Sequence, residues 1–509
     1  MRTLTDLEYL KLTRFQRLGY SVLRFFYSIP GRFVKLGKGI WNGIRKCGLG
    51  IAGECRDIVQ TFVRGDWKTR VSYLVMGFGS IARGQILRGL LFLLFEGVFI
   101  FYMIASGAKW LSLFGTLGTV EQGRVYDEVK DVYVTVEGDN SFKILLYGIL
   151  TIIFCIAFIY TWRLNVKQNK IGQELQEQGK RLKSAKDDLR SLVDEEFHKT
   201  LLALPLTGIL IFTVLPILFM ILVAFTSYDG VNNGYSKLFT WIGLDNFNAL
   251  ITLADSSGNS LSYTFGEVLT WTLIWAFFAT FTNYFLGMLV ALAINKKGIR
   301  FKKMWRGILV LTMAVPQFIS LLYISHMFDK TGVVNNVLMN LGWITTRIDF
   351  WANGDTARLL VILINVWVGI PYLMLIITGV LMNIPQDLYE SARIDGANAF
   401  QQYQKITLPY VLFVTGPYLL TSFTGNINNF NVIYLLTGSV KANPTLTVNG
   451  QFVKSTDLLI TWLFNLTTGA TANYKLACTI GIFIFIVIAI ISLIVYNILP
   501  SNKNEEDFS

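Results

Sequence analysis

The sequence is poor in charge, in histidine and in cysteine. Only 15% of its 509 residues are Asp, Glu, Lys or Arg, whereas soluble domains carry about a quarter. Its two histidines, His198 and His326, are scattered and provide no metal-ligand or nucleophile–base cluster. The four cysteines contain no C-x-x-C pair, which favours reduced, structural thiols. We therefore predict no catalytic residue and no metal site, and a membrane-embedded enzyme is a disfavoured alternative.

Two further absences concern the energy source. The sequence has no G-x-x-x-x-G-K-[ST] phosphate loop, so we expect no ATP and no other cofactor on this chain. Its predicted core spans do not contain the chains of acids or histidines typical of proton-driven carriers, and Glu96 is the one acid within an apolar run. Apart from Arg306, the first residue of the span predicted at 306–328, these spans also lack Lys and Arg, which argues against an anionic substrate such as a glycerol phosphate. An ion-coupled carrier or channel is thus the weaker alternative.

Long hydrophobic runs are what the sequence has instead. Hydrophobic residues make up 53% of the chain, and its mean hydropathy is +0.49. A helix of about twenty apolar residues crosses the ~30 Å hydrocarbon core of a bilayer. The sequence therefore predicts an all-α polytopic membrane protein with about eight transmembrane helices, at 89–106, 143–162, 201–226, 268–294, 306–328, 359–382, 410–436 and 476–498.

The distribution of charge predicts the orientation of these spans. Sixteen Lys and Arg precede residue 89 against five acids, and the loop 296–306 has six basic residues and no acid. Segment 107–142 has three basic residues against six acids. Because basic residues collect in cytoplasmic loops, we expect a plasma-membrane protein with both termini in the cytoplasm. The net charge of +12 then reflects topology and anionic lipid, since no basic cluster accompanies a nucleic-acid-reading motif.

The chain divides into parts of different composition. Residues 1–88 form a basic, aromatic arm typical of helices at the membrane interface. Residues 89–200 form a transmembrane hairpin and a charged cytosolic helical stretch. The transport core of six spans is predicted at 201–499, and a short cytoplasmic tail follows at 500–509.

A polar segment between two predicted spans carries a fixed pattern. It reads IPQDLYESARIDGANAFQQYQKITLPY and contains E-x-A-x(3)-G-x(9)-I-x-L-P within the loop 384–409. Asp387 suits a helix N-cap with Glu390 three residues later. Gly396 permits close backbone approach or a sharp turn, and Pro409 suits the first turn of the next span. We expect one face of a short helix to hold Leu388, Ala392 and Ala399.

This pattern resembles the cytoplasmic coupling loop, or EAA loop, of the membrane subunits of binding-protein-dependent ABC importers. One position departs from it, since Ser391 replaces a second alanine with another small residue. The resemblance implies that the loop docks on an ATPase subunit and carries its motion into the membrane. The coupling residues that it implies are Glu390, Ser391, Ala392, Asp395, Gly396, Ile406, Leu408 and Pro409.

Other segments narrow the resemblance to the larger permease subunit of maltose/maltodextrin importers, over roughly residues 200–509. They include LVLTMAVPQFISLLYI, INVWVGIPYLMLIITGVLMNIP and SFTGNINNFNVIYLLTG. This resemblance implies a six-helix ABC type I importer core. It also implies four kinds of partner: a second homologous permease, two ATPase subunits that hold ATP and Mg²⁺, an extracellular sugar-binding protein and an oligosaccharide.

One predicted span contains a polar stripe. In SFTGNINNFN, Ser422, Asn426 and Asn429 are spaced at i, i+4 and i+7, so they face one way on a continuous helix. Such groups are costly in a bilayer unless they find partners. Sugar hydroxyls would satisfy them, and so would hydrogen bonds between helices.

The resemblance implies that the polar stripe binds the sugar. It places Ser422, Asn426 and Asn429 at positions that contact maltose in the family, together with Val368, Gly369 and Tyr372. Tyr372 would then stack on a sugar ring, and Gly369 would leave space for it. Two positions depart from the family, since Met313 replaces a tyrosine and Gly425 replaces a phenylalanine, which leaves room for longer or differently linked glucans.

The sequence therefore predicts a permease subunit that imports maltose- or maltodextrin-like oligosaccharides with energy from partner ATPases. A permease for another neutral sugar or polyol is the alternative within the same class.

Overall fold

The computed structural model describes residues 52–498 and a few residues between 39 and 50. It leaves out 128–130, 183, 235–236, 253–260, 297, 441, 449–450 and 469–471. The predicted tail 500–509 and most of the arm before residue 52 lie outside the described residues. The chain forms two compact units, one of Met1–Leu111 with Leu150–Ile209 and the other of Ser112–Ile149 with Leu210–Ser509.

The first half of the chain is helical apart from one antiparallel hairpin, in which Gly123 pairs with Val136. Two π-helical turns, Met103–Gly107 and Leu210–Val214, interrupt long apolar helices. The elements in order are α1 (52–64), α2 (Trp67–Val71), α3 (Phe78–Ile81), α4 (Ile86–Tyr102), α5 (Ala108–Phe114), β1 (Gly123–Asp127), β2 (Val132–Val136), α6 (Ser141–Glu177), α7 (Ala185–Val193), α8 (Phe197–Ile209) and α9 (Leu215–Val223).

The second half holds the longest buried helices and a second hairpin, in which Ala442 pairs with Lys454. Its elements are α10 (Asp245–Ile251), α11 (Leu261–Asn295), α12 (Lys302–Ala314), α13 (Gln317–Met327), α14 (Val333–Asn340), α15 (Gly354–Met382), α16 (Gln386–Ile394), α17 (Ala399–Gln402), a π-turn (Tyr403–Thr407), α18 (Leu408–Ile427), α19 (Phe430–Leu436), β3 (Ala442–Val448), β4 (Gln451–Lys454), α20 (Leu459–Thr468) and α21 (Tyr474–Ile498).

The predicted all-α polytopic membrane fold is confirmed. Among the described residues, seven helical segments are long and apolar enough to cross a membrane, or eight if one bent pair counts as a span. The seven are Ile86–Phe114, Ser141–Glu177, Phe197–Val223, Leu261–Asn295, Gly354–Met382, Ala399–Ile427 and Tyr474–Ile494.

Two predicted spans are not continuous helices. The span expected at 306–328 consists of α12 and α13, which meet at an angle of 88°. Val315 leaves the helical conformation with ψ 126°, because the residue before a proline, here Pro316, is disfavoured in the helical region. The span expected at 410–436 ends as a helix at Ile427, and α19 begins only at Phe430.

A buried arginine connects several elements of the first unit. The Arg83 side chain is 1% exposed and lies 2.6 Å from the Asp66 carboxylate. It also donates to the hydroxyl of Thr69 and the amide oxygen of Asn169, at 2.7 and 2.9 Å. Asn169 belongs to α6, so the residues just before α4, which we assigned to the arm, pack on the predicted hairpin.

The second unit is built around α11, which packs against α15 and α18. Gly287 on α11 permits the close approach of α15, because a Cβ there would lie 2.7 Å from the Cβ of Leu373. Tyr284 on α11 shares a hydrogen bond of 2.7 Å with Thr415 on α18. These three helices and the bend between α12 and α13 surround a cavity.

Candidate functional site: an uncharged cavity and a coupling loop

A cavity of about 450 Å³ lies within the second unit. Four elements contribute to its wall: α11, the bend between α12 and α13, α15, and the last turns of α18. The residues that line it are Asn283, Thr312, Met313, Val315, Pro316, Gln317, Ser320, Asn365, Trp367, Val368, Gly369, Tyr372, Leu373, Tyr418, Ser422 and Asn426. None of them is charged, so the cavity suits a neutral ligand.

Six of the eight predicted sugar-site residues meet at this cavity: Met313, Val368, Gly369, Tyr372, Ser422 and Asn426. The other two, Asn429 and Gly425, are not among the lining residues. Gly425 is exposed, and a Cβ there would have no atom within 4 Å. An aromatic side chain at Gly425 would therefore meet open space in this chain.

The predicted polar stripe does not lie on one helix. Because α18 ends at Ile427, Asn429 is the N-cap of α19, where its side chain accepts from the Val432 N–H at 3.3 Å. Asn429 also donates to the Asn426 amide oxygen at 3.1 Å. Asn426 in turn donates to the hydroxyl of Thr280 at 3.0 Å. The two asparagines therefore have protein partners, although Asn426 still borders the cavity.

Two other asparagines have buried polar atoms without a partner. The side-chain oxygen of Asn283 and the side-chain nitrogen of Asn365 are both buried and make no hydrogen bond among the described residues. The two residues are 7% and 6% exposed, and both line the cavity. A buried, unpaired amide costs roughly 1–3 kcal/mol, so a ligand that supplies hydroxyl groups would relieve this penalty.

Gly369 has a packing role in addition to the expected one. A Cβ at this position would collide with the side-chain amide of Asn283. The missing side chain thus makes room for Asn283 of α11, and the space for a sugar ring that the resemblance implies stays a prediction. Gly369 still lines the cavity beside that amide.

Aromatic rings provide the second kind of sugar contact. Tyr372 on α15 and Tyr418 on α18 have ring centroids 6.2 Å apart, and both line the cavity. Tyr372 is about half exposed, so its ring is available to a ligand. The apolar faces of pyranose rings favour such surfaces.

Sequence reasoning missed Asn283, Asn365 and Tyr418. A signal existed for Asn365, which precedes Gly369 by four residues and Tyr372 by seven, so the three share one helix face. For Asn283 and Tyr418 the sequence shows only a polar group within an apolar span.

The coupling loop joins α15 to α18 through two short helices. Two backbone hydrogen bonds end helix α16. The N–H of Gly396 donates to the carbonyl of Arg393 at 3.0 Å, and the N–H of Ala397 donates to the carbonyl of Ala392 at 2.8 Å. This is a Schellman termination, which needs a left-handed residue. Gly396 provides it with φ +77°, so the predicted sharp turn is confirmed.

The local details of the loop differ from two expectations. Pro385 is the residue before α16, and Asp387 lies inside its first turn and does not cap it. Ala399 begins a separate helix, which Asn398 caps together with Gln401. The predicted face of Leu388, Ala392 and Ala399 is therefore divided between α16 and α17.

The loop is anchored to the spans on one side and exposed on the other. The Tyr389 hydroxyl shares a hydrogen bond of 2.8 Å with Thr407, which is buried in the π-turn. Ile406 lies in the same π-turn, and Leu408 and Pro409 follow at the start of α18. The predicted residues Glu390, Ser391 and Asp395 are exposed. Apolar side chains are exposed as well, namely Leu388, Ile394 and Phe400.

Comparisons with known proteins agree with this arrangement. Residues 283–503 match the family model for the binding-protein-dependent transport system inner membrane component. The maltodextrin transport system permease protein MdxF of Bacillus subtilis (strain 168) is 31% identical over 461 residues, which cover 88% of this chain and 99% of that protein. The galactooligosaccharides transport system permease protein GanP of the same organism is 32% identical over 434 residues, covering 85% and 97%.

A solved structure supports the fold. It is the crystal structure of a bacterial ABC transporter involved in the import of the acidic polysaccharide alginate, with a TM-score of 0.50 and 23% identity. The match covers 62% of this chain and 99% of that one. With the near-complete match to MdxF, the family expected from the coupling loop is confirmed: this chain belongs to the binding-protein-dependent transport system inner membrane components.

Proposed function

We propose that this chain is the permease subunit of an ATP-driven importer that carries maltodextrin-like oligosaccharides into the cell. The observation that carries the proposal is the uncharged cavity, in which the side-chain oxygen of Asn283 and the side-chain nitrogen of Asn365 have no hydrogen-bond partner among the described residues. Sugar hydroxyls both donate and accept hydrogen bonds, so an oligosaccharide can satisfy a free amide oxygen and a free amide nitrogen together. Tyr372 and Tyr418 would contact the apolar faces of its rings.

Four kinds of partner complete the transporter in this proposal. A second homologous permease encloses the pathway, two ATPase subunits supply the energy, an extracellular binding protein delivers the sugar, and the sugar occupies the cavity. ATP and Mg²⁺ bind to the ATPase subunits, and this chain holds no cofactor. The exposed apolar residues Leu388, Ile394 and Phe400 form the surface on which an ATPase subunit docks.

The coupling loop and the cavity are linked through two helices. Helix α15 carries Asn365 and Tyr372 and leads into the loop, and α18 leads out of it and carries Tyr418 and Ser422. A movement of the loop therefore displaces two walls of the cavity together. We infer that closure of the ATPase dimer rocks these helices between inward-facing and outward-facing arrangements, as a rigid-body switch.

The orientation belongs to the same proposal. The coupling loop and the basic loop 296–306 face the cytoplasm, and so do both termini, because basic residues concentrate on that side. Cysteines introduced singly at Ser391 or Lys303 should therefore be protected from membrane-impermeant thiol reagents added to intact cells. Labelling of either cysteine from outside would contradict this orientation.

A second substrate class has a specific observation in its favour. GanP, named for galactooligosaccharides, is as similar to this chain as MdxF is. The overall identity therefore does not separate α-linked glucans from galacto-oligosaccharides. Discrimination between these two sugar classes would depend on Tyr372, Asn365 and Asn283, because the two classes place their hydroxyl groups at different positions.

Uptake by the reconstituted complex tests the proposal. Proteoliposomes that contain this chain, its permease and ATPase partners and the binding protein should accumulate maltotriose and longer maltodextrins when ATP is supplied. Asn365→Leu should raise the KM roughly two- to tenfold, because one hydrogen bond to the sugar is worth about 0.5–1.5 kcal/mol. Asn336→Leu, an exposed amide outside the cavity, is the matched control.

Two substitutions test the shape of the site. Met313→Tyr should restore an aromatic wall in the cavity and shift the preference towards shorter, maltose-like sugars. Gly425→Phe should do so only if a partner subunit completes the site at that position, since it faces open space in this chain. Uptake of galactobiose without uptake of maltotriose would select the second substrate class. Uptake of neither sugar would refute the proposal.

A further inference from the structure

Two cationic side chains converge on one neutral residue at the end of a membrane span. Asn295 is the last residue of α11. The Lys302 ammonium donates to its carbonyl oxygen at 3.1 Å, and the Arg306 guanidinium donates to its side-chain oxygen. The Asn295 amide nitrogen bonds to the hydroxyl of Thr378 on α15 at 3.1 Å. Asn295 therefore holds both cations against the packed core, one turn apart on α12.

These positive charges have no counter-ion within the described chain. No carboxylate forms an ion pair with any described basic residue of the loop 296–306, namely Lys296, Arg300, Lys302, Lys303 and Arg306. The Nε atom of Arg306 is buried and has no hydrogen-bond partner. Like charges held together repel one another, and a phosphate oxygen is a typical partner for a guanidinium. The loop thus presents a binding site for an anion.

Large apolar side chains stand beside the charges. Phe301 is 72% exposed, and Met304 and Trp305 are each about half exposed. Phe301 adopts a left-handed backbone conformation, with φ 58°. A bulky residue rarely takes this conformation, and such strain is found at binding sites. Aromatic rings beside basic residues at a span end are typical of the bilayer interface.

We propose that residues 298–306, which lead into α12 and form its first turn, bind the phosphate headgroup of an anionic phospholipid. Lys302 and Arg306 would hold the phosphate, and Arg300 and Lys303 would add attraction to the negative surface. A lipid fits better than an acidic protein partner because Phe301, Met304 and Trp305 need an apolar surrounding. The apolar helix α12 that follows is itself half of a bent membrane span.

The site would connect the bilayer to the transport core. Helix α12 runs from Lys302 to Ala314 and carries Met313 at the cavity. Asn295 and Thr378 belong to α11 and α15, which form two other walls. A bound lipid would neutralise the charges where these three helices meet and so stabilise their arrangement. This inference does not depend on which sugar is carried.

The test varies two things: the lipid composition around the complex and the positive charge of the loop. The full complex is placed in nanodiscs of phosphatidylcholine alone or with added phosphatidylglycerol, and its thermal midpoint and the lipids retained in native mass spectrometry are measured. Wild type should retain phosphatidylglycerol and unfold at a higher temperature with it. The double variant Arg300→Gln/Lys303→Gln should lose affinity for this lipid about fivefold per removed charge. Both side chains are exposed, and neither is among the recorded hydrogen-bond partners of Asn295, so folding should be preserved.

A matched control removes the same charge elsewhere. The double variant Lys330→Gln/Arg347→Gln, at exposed positions in the segment between α13 and α15, should retain the full lipid effect. Arg306→Gln should abolish the effect if this variant assembles. An unchanged lipid effect in Arg300→Gln/Lys303→Gln would overturn the proposal.

Two other outcomes would also overturn it. If inorganic phosphate added to phosphatidylcholine nanodiscs gives the same stabilisation, the site binds a free anion and not a lipid. If the loop variants lose the co-purifying ATPase subunit in every lipid, the partner of the loop is a protein surface.

Discussion

Helices α15 and α18 both line the cavity and flank the coupling loop, yet the two regions differ in which groups lack a partner. In the cavity, the side-chain oxygen of Asn283 and the side-chain nitrogen of Asn365 are buried and have no hydrogen-bond partner among the described residues. In the loop, the backbone is satisfied by the Schellman turn at Gly396, and apolar side chains such as Ile394 are exposed. An unpaired buried amide calls for a hydrogen-bonding ligand, and an exposed apolar side chain calls for a packing surface. The comparison separates a site for a small polar molecule from a site for a protein.

The largest effect is expected at the turn of the coupling loop. Gly396→Val places a β-branched residue at φ +77°, where strain costs roughly 1–3 kcal/mol. The Schellman turn should rearrange, and ATP-driven uptake by the reconstituted complex should be abolished while membrane insertion stays normal. Gly379→Val on α15 is the control, because its φ is not positive and a Cβ there has no atom within 4 Å. Full uptake by Gly396→Val would show that the loop does not couple.

The next effect distinguishes a site asparagine from a structural one. Asn365→Leu removes an unpaired amide, so the thermal midpoint should stay the same or rise while uptake falls. Asn429→Leu removes the N-cap of α19 and its bond to Asn426, so stability should fall by about 1 kcal/mol. If Asn429 also contacts the sugar, sugar-stimulated ATP hydrolysis should fall more than basal hydrolysis. A stability loss in Asn365→Leu with normal uptake would reverse the assignment.

The coupling loop could be predicted from sequence because its pattern is local. Glu390, Gly396 and Pro409 lie within twenty residues of one another, and their spacing encodes a helix, its termination and the start of the next helix. The structure confirms the turn. Pro409 lies in the first turn of α18, but the membrane span that contains it begins earlier, at Ala399. It corrects the helix N-cap, since Pro385 precedes α16 and Asp387 lies inside it.

The cavity could be predicted only in part because its wall comes from distant parts of the chain. The family resemblance predicted that Met313, Tyr372 and Ser422 share one site. Helix periodicity could not predict this, because the three residues lie on different helices. The bend at Val315 and the helix end at Ile427 depend on local breaks that hydrophobicity does not show. The hydropathy of both segments is that of a membrane span, so continuous helices were expected. The contribution of Asn283 depends on how α11 packs against α15, which no local pattern encodes.

A smaller effect is expected where the loop meets the spans. Tyr389→Phe removes one hydrogen bond of 2.8 Å to Thr407, worth about 0.5–1.5 kcal/mol. The loop should then follow the ATPase less closely, so fewer sugars should be carried per ATP hydrolysed. Tyr434→Phe is the control, since the ring of Tyr434 stacks on Phe430 away from the loop, with centroids 4.8 Å apart. An unchanged ratio of uptake to hydrolysis in Tyr389→Phe would mean that this bond does not transmit motion.

The smallest effect concerns an ion pair far from both sites. Asp229 accepts from the Lys475 ammonium at 2.9 Å and from the N–H groups of Val231 and Asn232. Burial raises the pKa of Asp229, but the N–H of Asn232 and the Lys475 ammonium lower it by more, so the folded pKa lies below the ordinary value. A carboxyl with a lowered folded pKa stabilises the fold above its unfolded pKa of about 3.9, and this contribution is lost as pH falls through the folded pKa.

Asp229→Asn should therefore lower the thermal midpoint at pH 7, by the equivalent of about 1 kcal/mol, and the difference from wild type should shrink below about pH 4. The exposed Asp245→Asn serves as the control. A difference between wild type and Asp229→Asn that stays constant down to pH 3 would show that the carboxylate charge contributes nothing to the fold.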